Sequence, residues 1–263
     1  FINKGNFSAT NGRVDFRGNK SQFIKGESAP VFYELRMNTN DTVHLISPID
    51  VRGFITLTSG YLNLDGKQLT LVSDAEYTGM ITKVNTGSGI VGETIQMQRY
   101  FPAASGSWRM VCSPVVGATF EQWNDDIPTT GFPGSDYPNY GGAANPWSNI
   151  RKYVESVAGN MNLGFESIAS VDETIDPKKG YFTYFAPAPT LLDVEGDFSK
   201  GNLNLNVGFT SGGNSADRGW NLVANPYPCT INWTQSSGWS KSRISNTIYA
   251  YDPINGQYST YVN

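Results

Sequence analysis

Apolar and polar positions alternate in short runs through the first third of the chain. Val31-Phe32-Tyr33-Glu34-Leu35-Arg36-Met37, Val43-His44-Leu45-Ile46, Phe54-Ile55-Thr56-Leu57, Tyr61-Leu62-Asn63-Leu64 and Leu69-Thr70-Leu71-Val72 follow a period of two, the mark of half-buried strands. Between the runs stand Asn11-Gly12, Gly18-Asn19, the stretch Asn38 to Asp41, Ser59-Gly60 and Asp65-Gly66. These residues turn a chain, because Gly reaches positive φ and Asn and Asp bond their own backbone. A meander of short strands would alternate in the same way, but so tight a beat suits a β-solenoid, each coil stacked on the last around an axial core. Residues 1–98 are therefore predicted to be the end segment of a short β-solenoid of the right-handed β-helix kind. So few coils need a neighbour at each end: the region that follows can cap one end, and more coils are expected upstream.

From about residue 99 the pattern changes, and the chain echoes itself. Gly106–Trp123 reads GSWRMVCSPVVGATFEQW, and Gly219–Trp233 reads GWNLVANPYPCTINW. Trp108 matches Trp220, Met110 matches Leu222, Val111 matches Val223, Pro114 matches Pro226, and Trp123 answers Trp233. This predicts a β-sandwich-like region of two related units over 99–263, copy one about 99–200 and copy two about 201–263. Alternation places Trp108, Met110 and Cys112 on one face, and Trp220, Leu222 and Ala224 on its counterpart; these faces are expected to form the core. Copy one has the strand Gly180–Phe185, whereas copy two stops soon after Tyr251, so copy two is expected to be truncated. Asn124–Trp147, rich in Gly, Pro, Asp and Tyr, reads as a long ordered loop.

Composition agrees with an all-β chain. Only 16% of its residues are charged, against 28 Gly, 14 Tyr, 14 Phe and 6 Trp, which leaves little Glu and Lys for helical surfaces. A net charge of −4 without a basic block argues against a nucleic-acid partner, since phosphate contacts need clustered Lys and Arg. No apolar run is long enough to predict a membrane span. The chain starts at Phe1 without an initiator Met or a signal peptide, which reads as a mature form or a piece of something longer.

The candidate chemistry is thin. One histidine, His44, argues against a histidine metal site or a Ser-His triad. Glycoside hydrolysis needs two carboxylates facing each other across a cleft; Asp125, Asp126, Asp136, Asp172, Glu173 and Asp176 are available, but turn chemistry accounts for such residues without catalysis. The chain is therefore read as not an enzyme, with no catalytic residue assigned. Asp125, Asp126 and Asp136 on the long loop are candidate Ca²⁺ ligands, as clustered oxygens suit a hard cation; no other cofactor is expected. Tyr137, Tyr140 and Trp147 on the same loop are candidates for stacking against a sugar. Cys112 and Cys229, near the ends of the two echoing strands, are a candidate disulfide.

Several stretches resemble a known group. Phe16–Gly26, Phe32–Leu35, Ile55–Leu62 and the motif GWNLVANPYP at Gly219–Pro228 are similar to the coils and C-terminal region of large secreted proteins of Bacteroidetes bacteria, cargo of the type IX secretion system. The resemblance implies an extracellular or outer-surface location, passage through the secretion machinery, and a role as an adhesin or surface protein. Asp41-Thr42-Val43 is similar to the Asp-Ser/Thr-apolar sequence that such bacteria O-glycosylate, making Thr42 a candidate glycan site. The expected function is that of a non-catalytic adhesion or scaffold segment of a large exported surface protein, flanked by neighbouring domains of the same chain. A polysaccharide or cell-surface ligand is the candidate partner. A carbohydrate-binding module or carbohydrate-active enzyme on a β-helix scaffold, and a filament-forming structural protein, are the alternatives.

Overall fold

The computed structural model of the chain describes residues 1–103 and 107–262. Gly106, which opens the earlier echoing stretch, and Asn263, the expected end of copy two, lie outside the described residues. Strand makes up 43% of the chain and helix 4%, with a β-solenoid of about three turns followed by separate antiparallel sheets. The fold class is the one predicted.

The solenoid is built from β1 (Ile2–Asn3), β2 (Arg13–Gly18), β3 (Gln22–Gly26), β4 (Val31–Leu45), β5 (Ile49–Asn63), β6 (Leu69–Leu71), β7 (Met80–Val84), β8 (Ser88–Val91) and β9 (Ile95–Phe101). All pairings among these strands are parallel. The register stacks like on like. Val14 lies beside Leu35, Leu35 beside Ile55, and Ile55 beside Ile81; Phe32, Val51, Leu71 and Met97 form a second ladder, and Val43, Leu62 and Ile90 a third. Leu35, Leu45, Val51, Ile55, Leu57 and Leu62 are all 0% exposed. Each such side chain contributes about 1.5–3 kcal/mol of hydrophobic burial.

The sequence suggests separate short strands at 31–37 and 43–46, and again at 54–57 and 61–64. In the structure these pairs are fused into β4 and β5. The corner is absorbed as a register shift between Asn38 and Thr42 rather than as a turn that ends the ladder. Gly60 makes this corner feasible: it has φ +75°, and a Cβ there would sit 2.4 Å from the Asp41 carbonyl oxygen, so a side chain at 60 would push adjacent coils apart.

Past the solenoid come β10 (Ser107–Val111), β11 (Val115–Val116), a short helix α1 (Glu121–Asn124), β12 (Ile150–Tyr153), β13 (Phe165–Ser167), β14 (Tyr181–Phe185), β15 (Thr190–Phe198), β16 (Thr247–Asp252) and β17 (Gln257–Val262). One face of the solenoid does not stop at its last coil. β9 pairs in parallel with β6 on one edge and antiparallel with β15 on the other, and β15 then pairs with β11. A single eleven-stranded sheet thus runs from the coils into the second region. The switch to antiparallel pairing at β15 covers the edge that the last coil would otherwise leave open. A second sheet, β10-β14-β12-β13, is antiparallel, and β16 and β17 form a separate hairpin. Phe120, Trp123, Phe132, Ile150, Tyr181 and Phe185 are buried in the second region's core.

The two echoing motifs are placed differently in the backbone. β10 lies against 181–185, while Val223 of the second motif bridges Lys179 immediately before them. Both motifs therefore pack along the same run of chain. Between 199 and 246, however, copy two has no strand, only turns, an isolated bridge and a short 3₁₀ segment.

Candidate functional site

The predicted inward face of β10 is reversed. Arg109 and Val111 are buried, whereas Trp108 and Met110 are half-buried on the outer side. The partner strand sets this phase. In β14, Tyr181, Thr183 and Phe185 point inward, and Arg109 stands opposite Thr183 while Trp108 stands opposite Tyr184; paired residues share a face. Arg109 is accommodated inside by donating to the Pro102 carbonyl at 2.8 Å and by lying over the rings of Phe101 and Phe185. Burial pushes its pKa down. In the second motif the predicted phase holds at Ala224, which is buried, while Trp220 and Leu222 are half-buried.

The reversal places a group of aromatic rings on the outer face of the four-stranded sheet. Trp108 stacks on Phe182 with centroids 4.8 Å apart and meets Tyr184 and Trp147 edge-on at 5.7 and 5.6 Å. Trp147 also meets Tyr184 at 5.6 Å and Tyr140 at 6.0 Å. The Arg151 guanidinium lies 5.1 Å from the Trp108 ring. Farther along, Phe182 contacts Phe165 and Tyr251, so the β16–β17 hairpin covers that end. The uncovered end is the rim formed by Tyr140, 58% exposed, with Trp147 behind it.

The long loop holds this rim in place through its own hydrogen bonds. Trp147 N–H donates to the Tyr140 carbonyl at 2.7 Å, Thr130 Oγ1 donates to the Trp147 carbonyl, and Tyr137 N–H donates to the Thr129 carbonyl. Gly131 has φ +85°, and a Cβ there would lie 2.3 Å from Trp147 backbone atoms, so the two arms of the loop touch only because this residue is glycine. Phe132 and Ile127 anchor the loop in the core. The ordered loop read from the sequence is therefore present. It brings Tyr140 and Trp147 together, while Tyr137 is exposed at 58% and has no ring partner among the described residues. Trp108, Tyr184 and Arg151 were missed because alternation in Tyr181–Phe185 puts an aromatic on both faces, and only the pairing with β10 decides which side is out.

The structure does not bring Asp125, Asp126 and Asp136 together as a cation site. Among the described residues no three His, Cys, Asp or Glu are grouped to hold a metal ion. Two of these carboxylates have backbone partners instead: exposed Asp136 accepts from Thr129 N–H at 2.9 Å and half-buried Asp126 accepts from Asp193 N–H at 2.6 Å. Asp126 is pushed up to about 6, chiefly by burial; the hydrogen bond from Asp193 N–H opposes this, and the charges of Asp193 and Asp125 add to it. A carboxyl whose pKa is raised on folding is stabilising in its protonated form and loses that contribution as pH rises. Stability from this site should therefore be full below about pH 4 and fall as pH passes through about 6. Asp126→Asn keeps an acceptor for Asp193 N–H and removes the charge. Thermal melts should show it more stable than the parent by about 1 kcal/mol at pH 8, a figure discounted for partial exposure, with no gain at pH 3.5.

Thr42 is not at a turn. It lies within β4, directly after the register shift, opposite Tyr61, with its N–H donating to Asp41 Oδ1 at 2.8 Å. It lines a shallow groove with Asp41, Ser59 and Gly60 at the coil corner. Cys112 and Cys229 are both free thiols and line one cavity. Burial pushes Cys112 up to about 11 and raises Cys229. No helix among the described residues is long and apolar enough to cross a membrane. Compared with protein-family models, with curated proteins and with solved structures, the chain matches none of them.

Proposed function

We propose that this chain is a non-catalytic adhesion segment of a large exported bacterial surface protein, in which the solenoid is a stem and the second region presents a carbohydrate-binding face. The observation that carries this reading is the outward aromatic group Trp108, Trp147, Tyr140 and Tyr184, held on a sheet and a self-bonded loop. Aromatic faces bury the C–H surface of a pyranose while its hydroxyls stay wet, and rings fixed in advance lose little entropy on binding. The resemblance of GWNLVANPYP and of the solenoid coils to type IX secretion cargo supports the exported, outer-surface setting. A binding rather than a hydrolytic role is supported by the carboxylates' occupations. Asp126 and Asp136 accept from backbone N–H groups, Asp176 accepts from Lys178 N–H, and Glu173 pairs with Lys152.

A glycan array with the purified chain tests this. Saturable binding to a polysaccharide class is expected, weakened about tenfold, which is about 1.4 kcal/mol, by Tyr140→Ala or Trp147→Ala. Tyr140 is exposed enough that its variant should melt with the parent. Binding that both variants leave unchanged, or no binding to any glycan, would sink the reading. Shortening of the bound polysaccharide would favour the enzyme alternative.

A further inference from the structure

The second echoing motif acts as a strap. Gly180 N–H donates to the Leu222 carbonyl and Ala224 N–H to the Lys178 carbonyl, tying the motif to the second region, the head, just before β14. A few residues on, Ile81 N–H of β7 donates to the Pro228 carbonyl at 2.9 Å, tying it to the solenoid. The Tyr227 hydroxyl fixes the middle by donating to the Gly201 carbonyl at 2.7 Å. These few bonds hold a segment that belongs to no strand.

Beneath the strap is a cavity of about 390 Å³ with both cysteines of the chain in its wall. Cys112 stands just past the end of β10, and Cys229 is on the strap itself. A single residue touches both. The Asn225 carbonyl accepts from Cys112 Sγ at 3.8 Å, and Asn225 Nδ2 donates to the Cys229 carbonyl at 2.5 Å. The two cysteines thus come from sequence positions far apart, line one cavity, and are both contacted by Asn225, Cys112 at its thiol and Cys229 at its backbone carbonyl.

We propose that Cys112 and Cys229 form a disulfide that locks the strap across the junction of stem and head. The bond is made by exchange with an oxidised disulfide donor. Cys229 on the strap attacks the donor, releasing one donor thiol and forming a mixed disulfide. Cys112 then displaces the second donor thiol. Two protein S–H bonds are lost and one S–S bond is gained, while the donor's S–S bond is replaced by two S–H bonds. The closed loop spans most of the second region, so the cross-link restricts the unfolded chain strongly.

The test treats the reduced chain with oxidised glutathione and then alkylates it in denaturant. The expected result is a mass lower by two hydrogens, no alkylated cysteine, and a thermal midpoint about 5–10 °C above the reduced form. Cys112→Ser and Cys229→Ser change one atom each, should fold as the parent does when reduced, and should show no intramolecular closure and no rise of this size on oxidation. Two alkylatable thiols after oxidation, a stable glutathione adduct without closure, or disulfide-linked dimers in place of the monomeric product would overturn the proposal.

Discussion

Leu57→Asp is expected to unfold the stem. Leu57 is 0% exposed in β5, between Met37 and Val84 in the ladder of stacked coils. A carboxylate there has apolar neighbours on both sides, so it stays protonated or forces the coils apart; either outcome costs more than about 4 kcal/mol. Far-UV circular dichroism in a urea titration should show the parent's cooperative transition replaced by a broad, early one. Leu57→Ala leaves only a cavity and should cost about 2–5 kcal/mol, giving a shifted but still cooperative transition. If Leu57→Asp melted with the parent, position 57 would have to face water, and the register of β4, β5 and β7 would be wrong.

The second large effect is expected at Trp123→Ala. Trp123 is 1% exposed and packs edge-on against Phe120 at 5.3 Å and Tyr181 at 6.1 Å. It closes the first echoing stretch and lies in the core of the second region. Removing the indole should cost about 3–5 kcal/mol, whereas Trp123→Phe should retain more than half of the lost stability because the ring contacts persist. Denaturant midpoints at unchanged slope are the readout.

Leu57 and Trp123 differ in how far the sequence announced them. Alternation over Phe54–Leu57 and the turn at Ser59-Gly60 predict Leu57 as inward and the chain as coiled, because a solenoid core is set by local period-two patterning repeated coil after coil. Trp123 could be aligned with Trp233 from the echo, yet the two have different surroundings: Trp123 is core, while Trp233 is half-buried against Trp239 with Lys241 3.9 Å from its ring. What the sequence hid is non-local. The outward turn of Trp108 depends on β10 meeting β14, and the fusion of stem and head depends on β9 meeting β15. Both are pairings between distant segments with alternating residues on each side, where either phase satisfies the local pattern. The aromatic rim was half legible: the loop's composition singled out Tyr140 and Trp147, but not the strand residues behind them. The carboxylates on the same loop looked like ligands only because nothing local shows that Asp126 bonds Asp193 N–H on a strand remote in sequence.

Stem and head form one continuous body, joined through β6, β9 and β15. The chain's own chemistry supplies the probe, since all six tryptophans lie in the head and none in the solenoid. A urea titration should follow tryptophan emission, which sees the head alone, together with hydrogen exchange at the amides of β4 and β5, which sees the stem alone. The continuous sheet predicts coincident midpoints, and predicts that Leu57→Asp shifts the tryptophan transition although no tryptophan is near it. Separate midpoints, with head emission unmoved by Leu57→Asp, would contradict it and make the two regions independent units.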